Sequence, residues 1–266
     1  MQTNKLQLPQ IINDIIGSKT GSADTIGMSN SSVIIYDEFV LKIEKLRQGT
    51  DAAVNMMRWL DGKLPTPKVI CYEKDSASSY LLMSKVKGEM SCSQMYLDNS
   101  DLLVQLLADG LKMLWQIDTS DCPRKRDLDT ELAEAKYRVE NDLVDLDNVD
   151  PATFGKNGFA SPAHLLDWLF QNKPIYEPVL SHGDYCLPNV FINDGKISGF
   201  IDLGDCGIGD KWRDIALCYR SLKNNFNGTY GGKVYENFSP ELLFEKLGIK
   251  PNHEKLRYYL LLDELF

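Results

Sequence analysis

The chain has 266 residues, 43% hydrophobic and 25% charged, with a formal net charge of -9. That length supports a sizeable buried core in one large domain or two lobes, and the composition is ordinary for a soluble globular protein. The acidic balance argues against nucleic acid, whose phosphates call for a basic face, and agrees with a cationic small molecule as partner. Six cysteines without a C-x-x-C pair, with only three histidines to join them, fit a zinc site poorly and point to free thiols in a reducing cytoplasm. Asn13 and Asp14 interrupt the apolar residues 11–16, so neither a signal peptide nor a membrane span is expected.

In chain order, residues 8–16 predict a short helix. Two β-rich runs, residues 33–36 and 39–43, flank the acidic pair Asp37 and Glu38 and predict a hairpin. The loop before it, residues 27–32, has the small side chains that let backbone N–H groups approach phosphates. Lys42 stands in an otherwise apolar strand, where an unpaired ammonium is costly to bury; an edge strand with the lysine in water is the alternative. Thr50 can cap a helix running to about Leu60, with Gly62 as its stop. Strands are expected over residues 68–72 and 80–83. From Asp101 the period turns helical, with Leu103, Leu106, Leu107, Gly110, Leu111 and Leu114 on one face. A second helix follows, its buried face Leu128, Leu132, Ala135, Val139 and Leu143. Residues 145–150 are acidic, and Ser161-Pro162 starts a third helix.

The chemistry concentrates in residues 181–202. Asn193-Asp194-Gly195 between two apolar runs is a hairpin signal. Folding back there brings Asn189 and Asp202 side by side, with Asp184 facing the same space. Mg²⁺ suits a few hard protein oxygens, with water and phosphate completing its shell. In kinase-type phosphoryl transfer one Asp accepts the proton of the attacking hydroxyl, while an Asn and a second Asp hold the metal. Downstream, Asp210 to Asp214 leads into a helix through Leu222, with Asp214 capping it or holding the catalytic loop. Residues 228–233 lack P-loop spacing and read as a flexible loop. Helices follow from Ser239-Pro240 to Gly248 and from Pro251 onward. Asp263, Glu264 and the terminal carboxylate of Phe266 place about three negative charges at a helix C-terminus, against the macrodipole.

His182-Gly183-Asp184, Leu187-Pro188-Asn189 and Gly199-Phe200-Ile201-Asp202-Leu203-Gly204 resemble the catalytic loop and metal-binding segment of aminoglycoside O-phosphotransferases, particularly those acting on the 3′-hydroxyl. These are bilobal enzymes related to protein kinases. The resemblance extends to Gly27-Met28-Ser29, Leu82-Met83-Ser84, Asp210-Lys211-Trp212 and Leu262-Asp263-Glu264-Leu265-Phe266, and so covers nearly the whole chain. It implies an α+β, protein-kinase-like bilobal fold. Residues 1–87 would form a β-rich nucleotide-binding lobe with the hinge, and residues 88–266 a mainly helical lobe carrying the catalytic loop, metal site and substrate-binding helices. The implied reaction moves the γ-phosphoryl group of ATP or GTP, with Mg²⁺, to an aminoglycoside hydroxyl, conferring antibiotic resistance. Asp184 would be the base, and Asn189 and Asp202 the metal ligands. Lys42, Met28, Ser29, Ser84 and Val86 would hold the nucleotide. Asp263, Glu264 and Phe266, with Asp147 and Asp150, would meet substrate ammonium groups. A cytoplasmic monomer with no nucleic-acid or membrane partner is expected.

Three positions depart from the family pattern. Ala53 stands where a helix Glu would pair with the lysine. Asp51 is about 200° around that helix, which leaves Glu44 or a different loop path. Asp205 stands where an Arg lies near the phosphates, and Val40 where an aromatic ring stacks on adenine. Two other readings stay open: a kinase for another small hydroxyl compound such as a macrolide or metabolite, because the fold does not fix the substrate, and, from these departures, a nucleotide-binding protein with little activity.

Overall fold

The structure, a computed structural model, describes residues 8–23, 31–46 and 49–266. Its first part is a five-stranded antiparallel sheet made of β1 (Ser22–Ala23), β2 (Ser32–Ile35), β3 (Phe39–Lys45), β4 (Val69–Lys74) and β5 (Ser78–Ser84), in the order β1-β2-β3-β5-β4. The helix α1 (Gln10–Ile16) buries Ile12 and Ile16 in a small core with Tyr36, Leu41, Cys71, Tyr80 and Leu82. Side chains alternate across a strand, so the packing of Leu41 into this core turns Lys42 to the opposite face. β3 is an interior strand, with Lys42 in register with Val33 on β2 and Leu81 on β5. The edge-strand alternative for Lys42 is thereby excluded.

The helix α2 (Thr50–Leu60) begins after Gly49, whose φ of 83° supplies the left-handed entry; Thr50 is the first helical residue rather than the cap. Its Val54, Met56, Met57 and Leu60 do not join the small core. They pack with Leu81 into a larger cluster shared with the helices that follow. The first part of the chain is therefore fastened to the second through α2.

The second part runs β6 (Glu89–Met90), α3 (Gln94–Leu97), α4 (Ser100–Trp115), α5 (Leu128–Glu140), α6 (Pro162–Gln171), β7 (Pro178–Ser181), β8 (Val190–Asn193), β9 (Lys196–Phe200), β10 (Gly207–Asp210), α7 (Lys211–Phe226), α8 (Leu242–Leu247) and α9 (His253–Asp263). Polar caps set the helix starts: Asn99, Asp127, Ser161 and Asp210 each accept a main-chain N–H in the first turn of α4, α5, α6 and α7. The apolar face expected on α4 is buried throughout. A Cβ at Gly110 would collide with the Tyr185 hydroxyl, which donates to the Leu107 carbonyl at 2.8 Å. On α5, Leu128, Leu132 and Ala135 are buried, but Leu143 lies beyond the helix end and is 47% exposed, contrary to expectation. The apolar repeat continues past the point where the helix stops.

The expected hairpin is β8 and β9, with Val190 opposite Phe200. Its turn residues Asp194 and Gly195 have φ values of 49° and 70°, the left-handed pair that a tight hairpin turn requires. β6 adds to its β8 side, and β10 pairs antiparallel with β7, a pairing not anticipated from sequence. All six cysteines are free. Among the described residues no helix is long and apolar enough to cross a membrane. A sheet-rich first part and a helical second part make the α+β arrangement that was expected.

Candidate active site

β7 delivers the chain into the segment carrying Asp184, and buried groups fix that segment from below. The Asp214 carboxylate, itself fully buried, accepts the amides of His182 at 2.7 Å and Gly183 at 2.9 Å. Burial pushes the pKa of Asp214 up, and the two amides pull against that shift. From the same turn of α7, Arg213 Nε donates to the Gly183 carbonyl at 2.9 Å, and its Nη1 pairs with buried Glu131 of α5. The buried His182 ring meets Tyr185 and Phe200 edge-on and accepts the Asp184 amide on Nδ1 at 3.3 Å. Of the two roles expected of Asp214 it has the loop-holding one, since Asp210 is the residue that caps α7.

Hairpin pairing gathers the remaining polar groups. The Ile201 amide donates to the Asn189 carbonyl at 3.0 Å, closing the hairpin end where Asn189 and Asp202 stand. Asn189 Nδ2 donates to Asp184 Oδ2 at 2.8 Å and to the Asp184 carbonyl at 3.0 Å, leaving the amide oxygen of Asn189 available as a ligand. Asp202 has φ 56°, a left-handed conformation uncommon outside glycine, and it opens the short 3₁₀ turn Leu203–Asp205. The Asp184 carboxyl is raised in pKa by burial, against the pull of His182, and further by the charges of Asp263 and Asp202. The sequence-predicted base, amide and second carboxylate therefore share one space.

Lys42 reaches the same space from β3. Its Nζ lies 3.3 Å from Asp202 Oδ1 and 3.1 Å from Glu44 Oε1. Burial pulls its pKa down, but Asp202 and Glu44 more than offset this and the net shift is upward. Of the other expected nucleotide contacts, Met28 and Ser29 fall outside the described residues. Ser84 is already engaged: its amide donates to the Lys68 carbonyl and its hydroxyl accepts the Lys68 amide, both at 2.9 Å. Val86 sits close against Gly199 of β9, where a Cβ would collide with it.

On the opposite side, the acidic groups expected to meet a cation are held by arginines that the sequence reading missed. Arg220 pairs with Asp263 and lies 3.9 Å from Glu264. Glu264 also accepts the Asp150 amide at 2.8 Å, which ties residues 145–150 to the end of α9. Asp147 is exposed on that loop. Arg138 donates to the main-chain oxygens of Leu265 and Phe266, and the Phe266 ring lies 5.8 Å from the guanidinium carbons of both Arg138 and Arg213. The signal for Arg220 was its place seven residues after Arg213 on α7, two turns along the same helix face.

A model of the phosphotransferase enzyme family matches residues 20–245. An aminoglycoside 3′-phosphotransferase of Enterococcus faecalis is 43% identical over 256 residues, covering 91% of this chain and 92% of that protein. The chain belongs to the phosphotransferase enzyme family. A second such relative, the aminoglycoside 3′-phosphotransferase of Staphylococcus aureus, is 42% identical over 255 residues, with 91% of this chain and 92% of that protein covered. Among solved structures, an aminoglycoside phosphotransferase of Streptomyces rimosus shares the fold with a TM-score of 0.81 at 23% identity, covering 96% of this chain and 95% of that one. The likeness extends over the whole kinase-like, bilobal arrangement.

Within this phosphotransferase family the departures noted in the sequence now have physical settings. Asp51 is taken up by Tyr72 at 2.7 Å and Lys74 at 2.9 Å, so it does not serve Lys42 in place of Ala53. Glu44, two positions along β3 and therefore on the same face as Lys42, is the carboxylate that does. Asp205 is paired with arginines from elsewhere in the chain: Arg126 Nη2 lies 3.3 Å from its Oδ1 and Arg124 Nη2 3.8 Å from the same atom. Val40 is half-buried between Ile35 and Met83 in the sheet.

Proposed function

We propose that the protein transfers the γ-phosphoryl group of ATP or GTP to the 3′-hydroxyl of an aminoglycoside and thereby confers resistance to it. The observation that carries this reading is the convergence of Asp184, Asn189, Asp202 and Lys42 at one hairpin end. Its relatives bear the name aminoglycoside 3′-phosphotransferase, and a structural neighbour was solved with ADP and streptomycin. In this reading the nucleotide lies between the lobe of residues 1–87 and the helical remainder, near Ser84 and Val86 at the crossing.

Asp184 accepts the proton of the acceptor hydroxyl as its oxygen bonds to the γ-phosphorus. The bond from phosphorus to the β,γ-bridging oxygen breaks, and ADP or GDP leaves with that electron pair. Asn189 orients Asp184 through its Nδ2 bond, and Asp214 and Arg213 hold the loop still beneath it. Such positioning supplies most of the catalysis in this reaction class.

Asn189 and Asp202 fit Mg²⁺. They offer one amide oxygen and one carboxylate, and Mg²⁺ is ordinarily bound through one or two carboxylates plus water and phosphate. Among the described residues no group of three or more His, Cys, Asp or Glu could hold a metal by itself. The ion would neutralise phosphate charge. Lys42 binds the phosphates from the other side, held by Glu44.

Acceptor ammonium groups meet Asp263, Glu264 and Phe266, with Asp150 and Asp147 on the neighbouring loop. The influence of Asp263 on Asp184 supports this placement, since it puts acceptor-binding charge within electrostatic reach of the base. The protein acts as a cytoplasmic monomer in this account. The test is to incubate the purified chain with Mg²⁺, kanamycin and either ATP or GTP, and to weigh the drug by mass spectrometry. Phosphorylated kanamycin is expected with at least one nucleotide. Bound Mg-nucleotide without product would overturn the proposal.

A further inference from the structure

Besides Lys42, the cations whose contacts reach the turn after Asp202, among the described residues, come from far earlier in the chain. A short parallel bridge between Lys125 and Ile208 delivers them: Ile208 donates its amide to the Arg124 carbonyl at 2.9 Å, and Arg126 donates its amide to the Ile208 carbonyl at 2.8 Å. Extended backbone alternates its side chains, so Arg124 and Arg126 turn to one side while Lys125 is exposed on the other.

The two arginines differ in what remains free. Arg126 is 5% exposed, donates through Nη1 to Glu134 at 2.6 Å and places Nη2 3.3 Å from Asp205. It is a buried buttress. Arg124 donates Nη1 to the Gly204 carbonyl, and among the described residues its one ion pair is the 3.8 Å approach to Asp205. Its side chain is 21% exposed. A guanidinium has five N–H donors, so Arg124 keeps several uncommitted. Its location is also particular. Gly204 lies two residues from Asp202, and the Asp205 main chain backs so closely onto Gly183 that a Cβ there would collide with it. Arg124 therefore sits on the strip of backbone joining the proposed metal ligand to the loop that carries the base.

The charge of a transferring phosphoryl group spreads over its three equatorial oxygens, and pre-placed cations aimed at them are a large source of rate. We infer that Arg124 is a further catalytic residue, donating to the transferring phosphoryl group, with the Gly204 carbonyl and Asp205 positioning its guanidinium. The inference rests on the phosphotransferase reading above.

The test compares wild type, Arg124→Gln and Arg124→Lys, using kanamycin and MgATP for turnover and MgADP with aluminium fluoride as a mimic of the transferring group. Arg124→Gln is expected to lower kcat by roughly 10²-fold while MgADP affinity stays within about twofold. It should also lose the tightening of MgADP binding that aluminium fluoride produces in the wild type. Arg124→Lys, which keeps the charge, should recover part of both. Turnover by Arg124→Gln within about threefold of wild type would overturn the inference. So would a loss shared equally by both variants and matched by a fall in melting temperature and MgADP binding, which would make Arg124 a structural strut. A wild type that phosphorylates nothing would instead sink the parent reading, and the inference with it.

Discussion

Lys42 shows how a single residue becomes interpretable only with its partners. An ammonium in an otherwise apolar strand was legible as unusual, because burying it alone is costly. Which carboxylate holds it was not, since the chain between Lys42 and α2 could follow several paths. The structure resolves this in favour of Glu44, at 3.1 Å, with Asp51 turned to Lys74 and Tyr72. If Asp202 holds Mg²⁺ as proposed, Glu44 is the carboxylate left to aim Lys42 at phosphate. Glu44→Gln is therefore expected to lower kcat/KM for the nucleotide by about tenfold, the loss of one charge-assisted hydrogen bond. Asp51→Asn should leave it unchanged. Steady-state kinetics with varied nucleotide checks both, and equal effects from the two variants would remove Glu44 from this role. Asp205 teaches the same lesson: its sign reversal was visible in the sequence, but the arginines beside it, Arg124 and Arg126, lie some 80 residues upstream.

At the scale of elements, the catalytic loop depends on how α7 is seated, and α7 is anchored at its start. Glu177, just before β7, binds Lys211 at the first residue of α7, Trp212 Nε1 at 3.0 Å and Lys255 of α9 at 2.6 Å. Burial raises its pKa, but Lys211, Lys255 and Trp212 more than reverse this, and the group falls to about 2. A depressed carboxylate contributes stability that is present above its unfolded pKa, near 4.5, and is lost as pH falls toward 2. Glu177→Gln should thus melt lower than wild type at pH 7, and the gap should close between about pH 5 and pH 2. Thermal melts across that range provide the check, and a gap that persists at low pH would assign the anchor to packing instead.

The elements themselves were unequally legible. Asp194-Gly195 announced the β8–β9 hairpin because the backbone conformation it demands is local. The pairing of β10 with β7 carried no such sign. Its Gly207 and Gly209 break the apolar alternation, and they are required by contact: a Cβ on Gly209 would press on Ser181 and one on Gly207 on Arg126. A strand chosen for close approach of its neighbours hides from pattern reading. Leu143 failed for the converse reason, a helical repeat that outlasts its helix.

For the whole molecule, the change from strand to helical period was legible along the sequence and the family resemblance implied the two lobes, while the fastening of the parts was not legible. Residues of α2 pack into the large core rather than the small one beneath the sheet, and between the two parts Lys42 Nζ lies 3.3 Å from Asp202 Oδ1. The net charge of -9 likewise said nothing of how the acidic groups at the end of α9 are arranged. Asp263 and Glu264 are shared with Arg220, so an acceptor ammonium bound there as proposed would compete with a resident guanidinium.

The most direct test of the account is turnover by Asp184→Asn, which keeps the shape of the side chain and removes its basicity. With kanamycin and MgATP, kcat is predicted to fall by about 10²- to 10⁴-fold, while calorimetric MgADP affinity and melting temperature stay at wild-type values. Turnover close to wild type would contradict Asp184 as the base and, with it, the placement of the reaction at this hairpin end.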